Sequence, residues 1–137
     1  MAKGKGKSKE EQRLNYNAEV RALKERGPER LYILWGPEDY LRELFMAEIK
    51  KLCIPDGDDG FCYKRIDGPD IEAESLRQAI DAVPFLSERT LVELRGVDIN
   101  RLSEADEVLK AVSDIPDYCT GCFVQSAQFE FDGRVTL

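Results

Sequence analysis

Apolar positions along the chain recur at two periods, and the alternation between them lays out the elements. Ser8 and Glu11 have the spacing of a capping box, and Leu14, Ala18 and Ala22 continue at helical spacing until Gly27-Pro28 ends the pattern. The continuous run Leu31-Tyr32-Ile33-Leu34-Trp35, closed by Gly36, suits a strand buried on both faces of a parallel sheet. Pro37 fits a first helical turn, and Glu38 and Asp39 suit the positive end of the helix dipole. Leu41, Phe45, Ile49 and Leu52 then share one helical face, ending near Lys50-Lys51. An acidic turn from Asp56 to Gly60 precedes a predicted strand over Phe61 to Ile66, which Asp67-Gly68-Pro69-Asp70 breaks. The next helix is expected to bury Leu76, Ala79, Ile80 and Val83 and to end at Pro84. Thr90 to Arg95 reads as a third strand, and Cys122 to Ser126 as a fourth. Between them, Ser103 and Asp106 cap a helix with Ala105, Val108, Leu109 and Val112 on one face. Phe129 to Leu137 carries an Asp-Gly turn between apolar alternations, which suits a hairpin and equally a loop leading into a further helix.

Strands alternating with helices predict an α/β fold with a mainly parallel, doubly wound sheet flanked by helices, because parallel neighbours need crossover helices. The 42% hydrophobic and 34% charged content of the 137 residues fits one compact domain with a real core. The formal charge is −7, but Lys3, Lys5, Lys7 and Lys9 put +4 on residues 1–9, which leaves −11 on residues 10–137. The first nine residues are expected to be a solvated Lys/Gly tail. The acidic body repels phosphates, so direct, high-affinity nucleic-acid binding by it is not expected. No apolar run approaches the ~18 residues of a membrane span, and the N-terminus lacks the apolar centre of a signal peptide. A cytoplasmic protein without membrane contact is the expectation.

An apolar strand followed by glycine and a helix is where a phosphate-binding loop would sit. Counted from Gly36, the positions that should be Gly, Lys and Ser/Thr are Leu41, Arg42 and Glu43, while Glu38 and Asp39 bring negative charge to the cradle. Arg42 can stand in for the lysine charge, but Leu41 denies the close backbone approach that glycine permits. The layout is that of a nucleotide fold with its loop degenerate. Cys119 and Cys122 have zinc-ribbon spacing, and Cys53 with Cys62 would have to complete the site, but these cysteines read better as small buried residues. Asp56, Asp58 and Asp59 lack the ligand order of a calcium loop. With no histidine and no nucleophile elbow, neither a catalytic residue nor a metal or other cofactor is expected. Pro84-Phe85-Leu86 stands apart, because large apolar residues fall at a connection, where they either tuck into the core or form a contact patch.

Three blocks of this sequence resemble the N-terminal domain of the bacterial DNA polymerase III delta subunit family. They are Leu31 to Leu41, with its strand, glycine and acidic-tyrosine turn; Pro84-Phe85-Leu86-Ser87-Glu88-Arg89-Thr90-Leu91-Val92; and Asp117 to Gln125. The resemblance spans roughly residues 14 to 128 and departs from the family at Gly121, which falls in an apolar strand, and after Gln128. It implies an AAA+-like domain over residues 10–137, cut from a longer chain. It further implies a non-catalytic role in DNA replication, in which Pro84, Phe85 and Leu86 bind the sliding clamp (the beta subunit) and help to open it. Other clamp-loader subunits would join through the longer protein, with DNA reached only through the complex. The alternative is a diverged AAA+ NTPase domain that still binds nucleotide, and a third reading is a scaffold with Phe85 in its core.

Overall fold

A computed structural model of the chain describes residues 9–36, 38–55, 62–85 and 87–125. In order come α1 (Lys9–Arg26), β1 (Leu31–Leu34), α2 (Asp39–Cys53), β2 (Tyr63–Asp67), α3 (Ala73–Asp81), β3 (Thr90–Arg95), α4 (Ala105–Val112) and β4 (Cys119–Val124). The strands form one sheet in the order β1-β4-β3-β2, and every neighbouring pair is parallel. The crossover after β1 runs to the far edge of the sheet, while the next two step back. If every crossover is right-handed, α2 must therefore lie on one face and α3 and α4 on the other. The packing agrees. Val92, Leu94, Cys119 and Phe123 meet Leu76, Ile80, Val108 and Val112, whereas Leu91, Cys122 and Val124 meet Leu23, Phe45, Met46 and Ile49. Both central strands are thus buried on two sides, whereas Leu31 to Leu34, expected to be buried on both faces, form an edge strand that is only half-buried because it has a neighbour on one side alone. Among the described residues no helix is long and apolar enough to cross a membrane.

Several local expectations shift. Tyr16, Val20 and Leu23 carry the packed face of α1, while Ala18 is exposed, and the Ser8 cap lies outside the described residues. In α2 the buried stripe runs through Arg42, Phe45, Met46, Ile49 and Cys53, so Leu52, a third exposed, sits at its margin. Val83 does not join the α3 stripe: the helix ends at Asp81, Ala82 is already extended, and a residue before proline is driven out of the helical region. It is one of the most exposed large apolar residues described, at 73%. Ser103 does not cap α4. Its hydroxyl donates to Asp70 Oδ2 at 2.6 Å, and Glu104 takes the cap position while its carboxylate accepts the Ala73 N–H at 2.9 Å. The start of α4 thereby satisfies one of the orphan donors at the start of α3. The hairpin signal after residue 128 lies outside the described residues, as does Phe61.

The fourth strand begins at Cys119, three residues before the expected start, and runs unbroken through Gly121, which pairs with Leu31 on one side and Val92 on the other. Ile115 covers the glycine; a Cβ there would meet its Cδ1 at an ordinary 3.6 Å. Gly121 also lacks the left-handed backbone of Gly27, Gly36 and Gly96. The two cysteines flanking Thr120 and Gly121 point to opposite faces: Cys119 packs among α3 and α4, and Cys122 among α1 and α2. A single metal cannot be held by both.

The carboxylates do not all lie in solvent. Glu93, in the middle of β3, has no exposed surface. Tyr63 donates its hydroxyl to Glu93 Oε1 at 2.5 Å, Arg95 Nε reaches Oε2 at 2.5 Å, and Lys50 Nζ of α2 stands 3.2 Å away and over the Tyr63 ring. Arg95 continues to Glu43, its Nη2 lying 2.8 Å from Oε1. Burial alone would raise the Glu93 pKa, but the Tyr63 hydroxyl and the Arg95 and Lys50 cations outweigh it and hold the carboxyl below its usual 4.5. The Tyr63 hydroxyl is raised, first by burial and then by its bond to Glu93.

Two outcomes are expected. Gly121→Ala should stabilise the fold by about 0.4–1 kcal/mol, because the methyl fits and the unfolded chain loses freedom, and a rise of the melting temperature by a few degrees would register it. Glu93→Gln should cost about 3 kcal/mol, since Lys50 loses its carboxylate and Arg95 keeps Glu43 alone. Because the folded pKa of Glu93 is depressed, its contribution is present above pH 4.5 and disappears as pH falls through the folded value. Urea unfolding as a function of pH should therefore show a steep acid loss in the native chain and a flatter one in Glu93→Gln.

Candidate functional site

Parallel strands gather their C-terminal ends at one edge of the sheet and their N-terminal ends at the other. The candidate residues divide between these two edges. Gly36, two residues past β1, and the first turns of α2 lie at the C-terminal edge, beside β4 and at the point where crossovers depart to opposite faces. That is the crevice in which such sheets bind ligands.

Here the protein's own side chains occupy the loop. Gly36 has φ 125°, a backbone that side chains avoid, and the chain turns there out of β1. Arg42, only 8% exposed, folds back so that its guanidinium donates to the Gly36 carbonyl and pairs with Asp39. Burial lowers the Arg42 pKa from its usual value. Leu41 is half-buried, and Glu43 points along the edge to Arg95, the last residue of β3. The bond to Arg95 holds the Glu43 carboxyl below the usual carboxylate range, and the same bond is the main cause raising Arg95. At the end of β4, Gln125 donates its amide to the Val97 carbonyl at 3.0 Å. The structure thus places Arg42 on Gly36 and brings Glu43 to Arg95, which sequence reading did not single out. An arginine at the C-terminal end of a central strand, where a magnesium site would need an acid, was the available signal.

The second group lies at the N-terminal edge, in the connection from α3 to β3. Phe85 is 55% exposed, Pro84 half-buried and Val83 exposed; Leu86 lies outside the described residues. The exposure of Phe85 corrects the scaffold reading, which put its ring in the core. Val83, which the sequence assigned to the helix face, instead adds to the apolar surface beside Phe85. Both ends of the connection are fixed to the segment entering β4. Tyr118 donates its hydroxyl to the carbonyl of Asp81, the last residue of α3, at 2.8 Å. Arg89 Nη2 donates at 3.1 Å to the Thr120 hydroxyl, which donates in turn to the Glu29 carbonyl at 2.9 Å. Ser87 Oγ closes onto the Arg89 carbonyl at 2.8 Å, and the Thr90 N–H onto the Tyr118 carbonyl at 2.9 Å. Among the described residues, no group of three His, Cys, Asp or Glu side chains is arranged for a metal.

Comparison with known proteins bears on both edges. No curated protein matches the chain significantly. In fold the chain is similar to a DNA clamp loader delta protein from Bacillus subtilis, with a TM-score of 0.71 at 17% identity, over 85% of this chain and 37% of that one. It is also similar to a DNA polymerase III gamma subunit-related protein from Thermotoga maritima, with a TM-score of 0.59 at 20% identity, over 80% of this chain and 38% of that one. The chain thus spans well under half the length of either, and at these identities the likeness speaks for the parallel-sheet α/β fold. The family model for the DNA polymerase III delta subunit matches residues 32–123, from β1 through most of β4 and including both edges. Because that match takes in more than half of the sequence, the chain belongs to the DNA polymerase III delta subunit family.

Proposed function

We propose that this domain is a non-catalytic clamp-loader module that binds the sliding clamp through the α3–β3 connection and helps to open it during replication. The observation that carries the reading is an apolar turn presented to solvent, with Phe85 and Val83 exposed while both of its ends are tied down. Isolated exposed apolar residues are ordinary. A Phe and a Val two positions apart, on a turn held at both ends in a delta-family chain, suit a partner pocket better than solvent. Pro84 between them restricts the backbone and lowers the ordering cost of docking. Opening would follow from differential affinity: a surface that fits a sprung clamp interface better than a closed one shifts the ring toward opening, with no hydrolysis in this domain.

The other edge supports the same division of labour. We read the loop from Gly36 to Glu43 as a degenerate phosphate loop, because Arg42 is committed to Gly36 and Asp39, and Arg95 to Glu43 and Glu93. Phosphates entering there would have to displace internal ion pairs and face Glu38 and Asp39. A diverged NTPase is less well supported on these grounds. As a domain of a longer subunit over residues 10–137, the module would meet the other loader subunits through the rest of that protein and DNA only through the assembly. Such work belongs in the cytoplasm.

Phe85→Ala should weaken binding to the sliding clamp by at least about tenfold, or ~1.4 kcal/mol, in calorimetry or surface binding, with the melting temperature nearly unchanged. A core phenylalanine behaves oppositely, losing ~3–5 kcal/mol of stability on truncation. An unfolded variant, or one with unaltered clamp affinity, contradicts the assignment. A fluorescent ATP analogue with magnesium should give no saturable signal at micromolar concentrations, and saturation there would favour the NTPase reading.

A further inference from the structure

We infer that Tyr118 and Arg89 are positioning residues that hold the α3–β3 connection in its docking form; this rests on the clamp-binding reading above and names what prepares that site. The two ties come from one short segment. Tyr118 takes the last carbonyl of α3 and Thr120, two residues on, takes Arg89 immediately before β3, so the two ends of residues 82–88 are anchored to the same approach to β4. The second anchor is itself rigid: Thr120 is fully buried, hydrogen-bonded to Glu29, and paired with Leu91 in the sheet. The two ties also differ in kind. Arg89 leads directly into a buried strand, whereas the Tyr118 bond lies at the surface and closes the helix end without supporting the core.

An apolar turn of this length has many conformations in water, and a partner that selects one of them loses affinity in proportion to its scarcity. Removing the Tyr118 hydroxyl leaves the ring and the fold in place but frees the Asp81 carbonyl. Residues 82–88 then sample more states, and the fraction ready to dock falls. Tyr118 acts through the turn and need not touch the clamp.

The test uses the full chain with the purified clamp. Tyr118→Phe is expected to weaken clamp binding about threefold to tenfold, to accelerate amide exchange at residues 82–88 of the free protein, and to leave exchange in β3 and β4 unchanged. Arg89→Lys, which keeps the charge but loses the fork geometry, should move both readings the same way. If Tyr118→Phe binds within twofold of the native chain, or weakens binding without changing exchange at 82–88, the positioning role is wrong, the second result making Tyr118 a direct contact. Phe85→Ala run alongside separates the two layers. Weakened binding there with an unaffected Tyr118→Phe removes only this inference, whereas unaltered binding in Phe85→Ala removes the docking reading and this inference with it.

Discussion

A carboxylate with no exposed surface, in the middle of a parallel sheet, must be neutralised from several sides at once, and much of this domain is arranged around that requirement at Glu93. An uncompensated charge there would cost several kcal/mol, which a domain of this size cannot spare. Tyr63 reaches it from β2, Arg95 from two residues further along β3, and Lys50 from α2 across the layer. Arg95 then binds Glu43, one turn into α2. The network is more than a local repair. It fixes the rotation of α2 on the sheet, since Glu43 and Lys50 lie seven residues apart on the same side of the helix.

That seating decides the fate of the C-terminal edge. With α2 turned so that Glu43 and Lys50 face the sheet's charges, Arg42 falls inward toward Gly36 and Asp39, and becomes a buried member of the helix's packed stripe. A buried guanidinium needs acceptors, and the loop supplies them from its own carbonyl and carboxylate. At the mouth of the crevice where parallel sheets usually bind ligands, Arg42, Gly36 and Asp39 thus satisfy one another.

The order of elements was legible because apolar runs and Gly/Pro breaks carry that signal directly, but the two-sided burial expected of Leu31 to Trp35 was not: β1 is a half-buried edge strand, and the strands covered on both faces are β3 and β4. Thr90 to Arg95 was read to the residue. The misplaced details share a cause, which is that one-dimensional periodicity cannot see a partner from elsewhere in the chain. Ser103 looked like a cap until Asp70, thirty-three positions away, took its hydroxyl. The fourth strand was read from Cys122, and pairing on both sides with the cover of Ile115 extends it back through Gly121 and Thr120 to Cys119. Val83 fitted the helical stripe by spacing, and only the proline after it argued otherwise. Of the candidate site, Gly36, Arg42 and Phe85 were visible as residues. Arg95 and Tyr118, which bond to Glu43 and to the Asp81 carbonyl, were not, because these partners lie more than thirty positions away.

The two edges of the sheet therefore answer different physical demands. At the C-terminal edge, internal ion pairs and hydrogen bonds hold Arg42 against Gly36 and Asp39, and Arg95 against Glu43 and Glu93. At the N-terminal edge, Tyr118 and Arg89 tie down a turn on which Val83 and Phe85 are exposed, and on the docking reading that apolar surface is stabilised when a partner covers it. On the non-catalytic reading proposed above, such a domain has no internal energy source. Any work it does on a partner must come from the difference between that partner's affinities in two shapes. Timing must then come from whatever covers or uncovers the apolar turn, which makes accessibility of Val83 and Phe85, rather than chemistry at Gly36, the variable through which a larger assembly would control it.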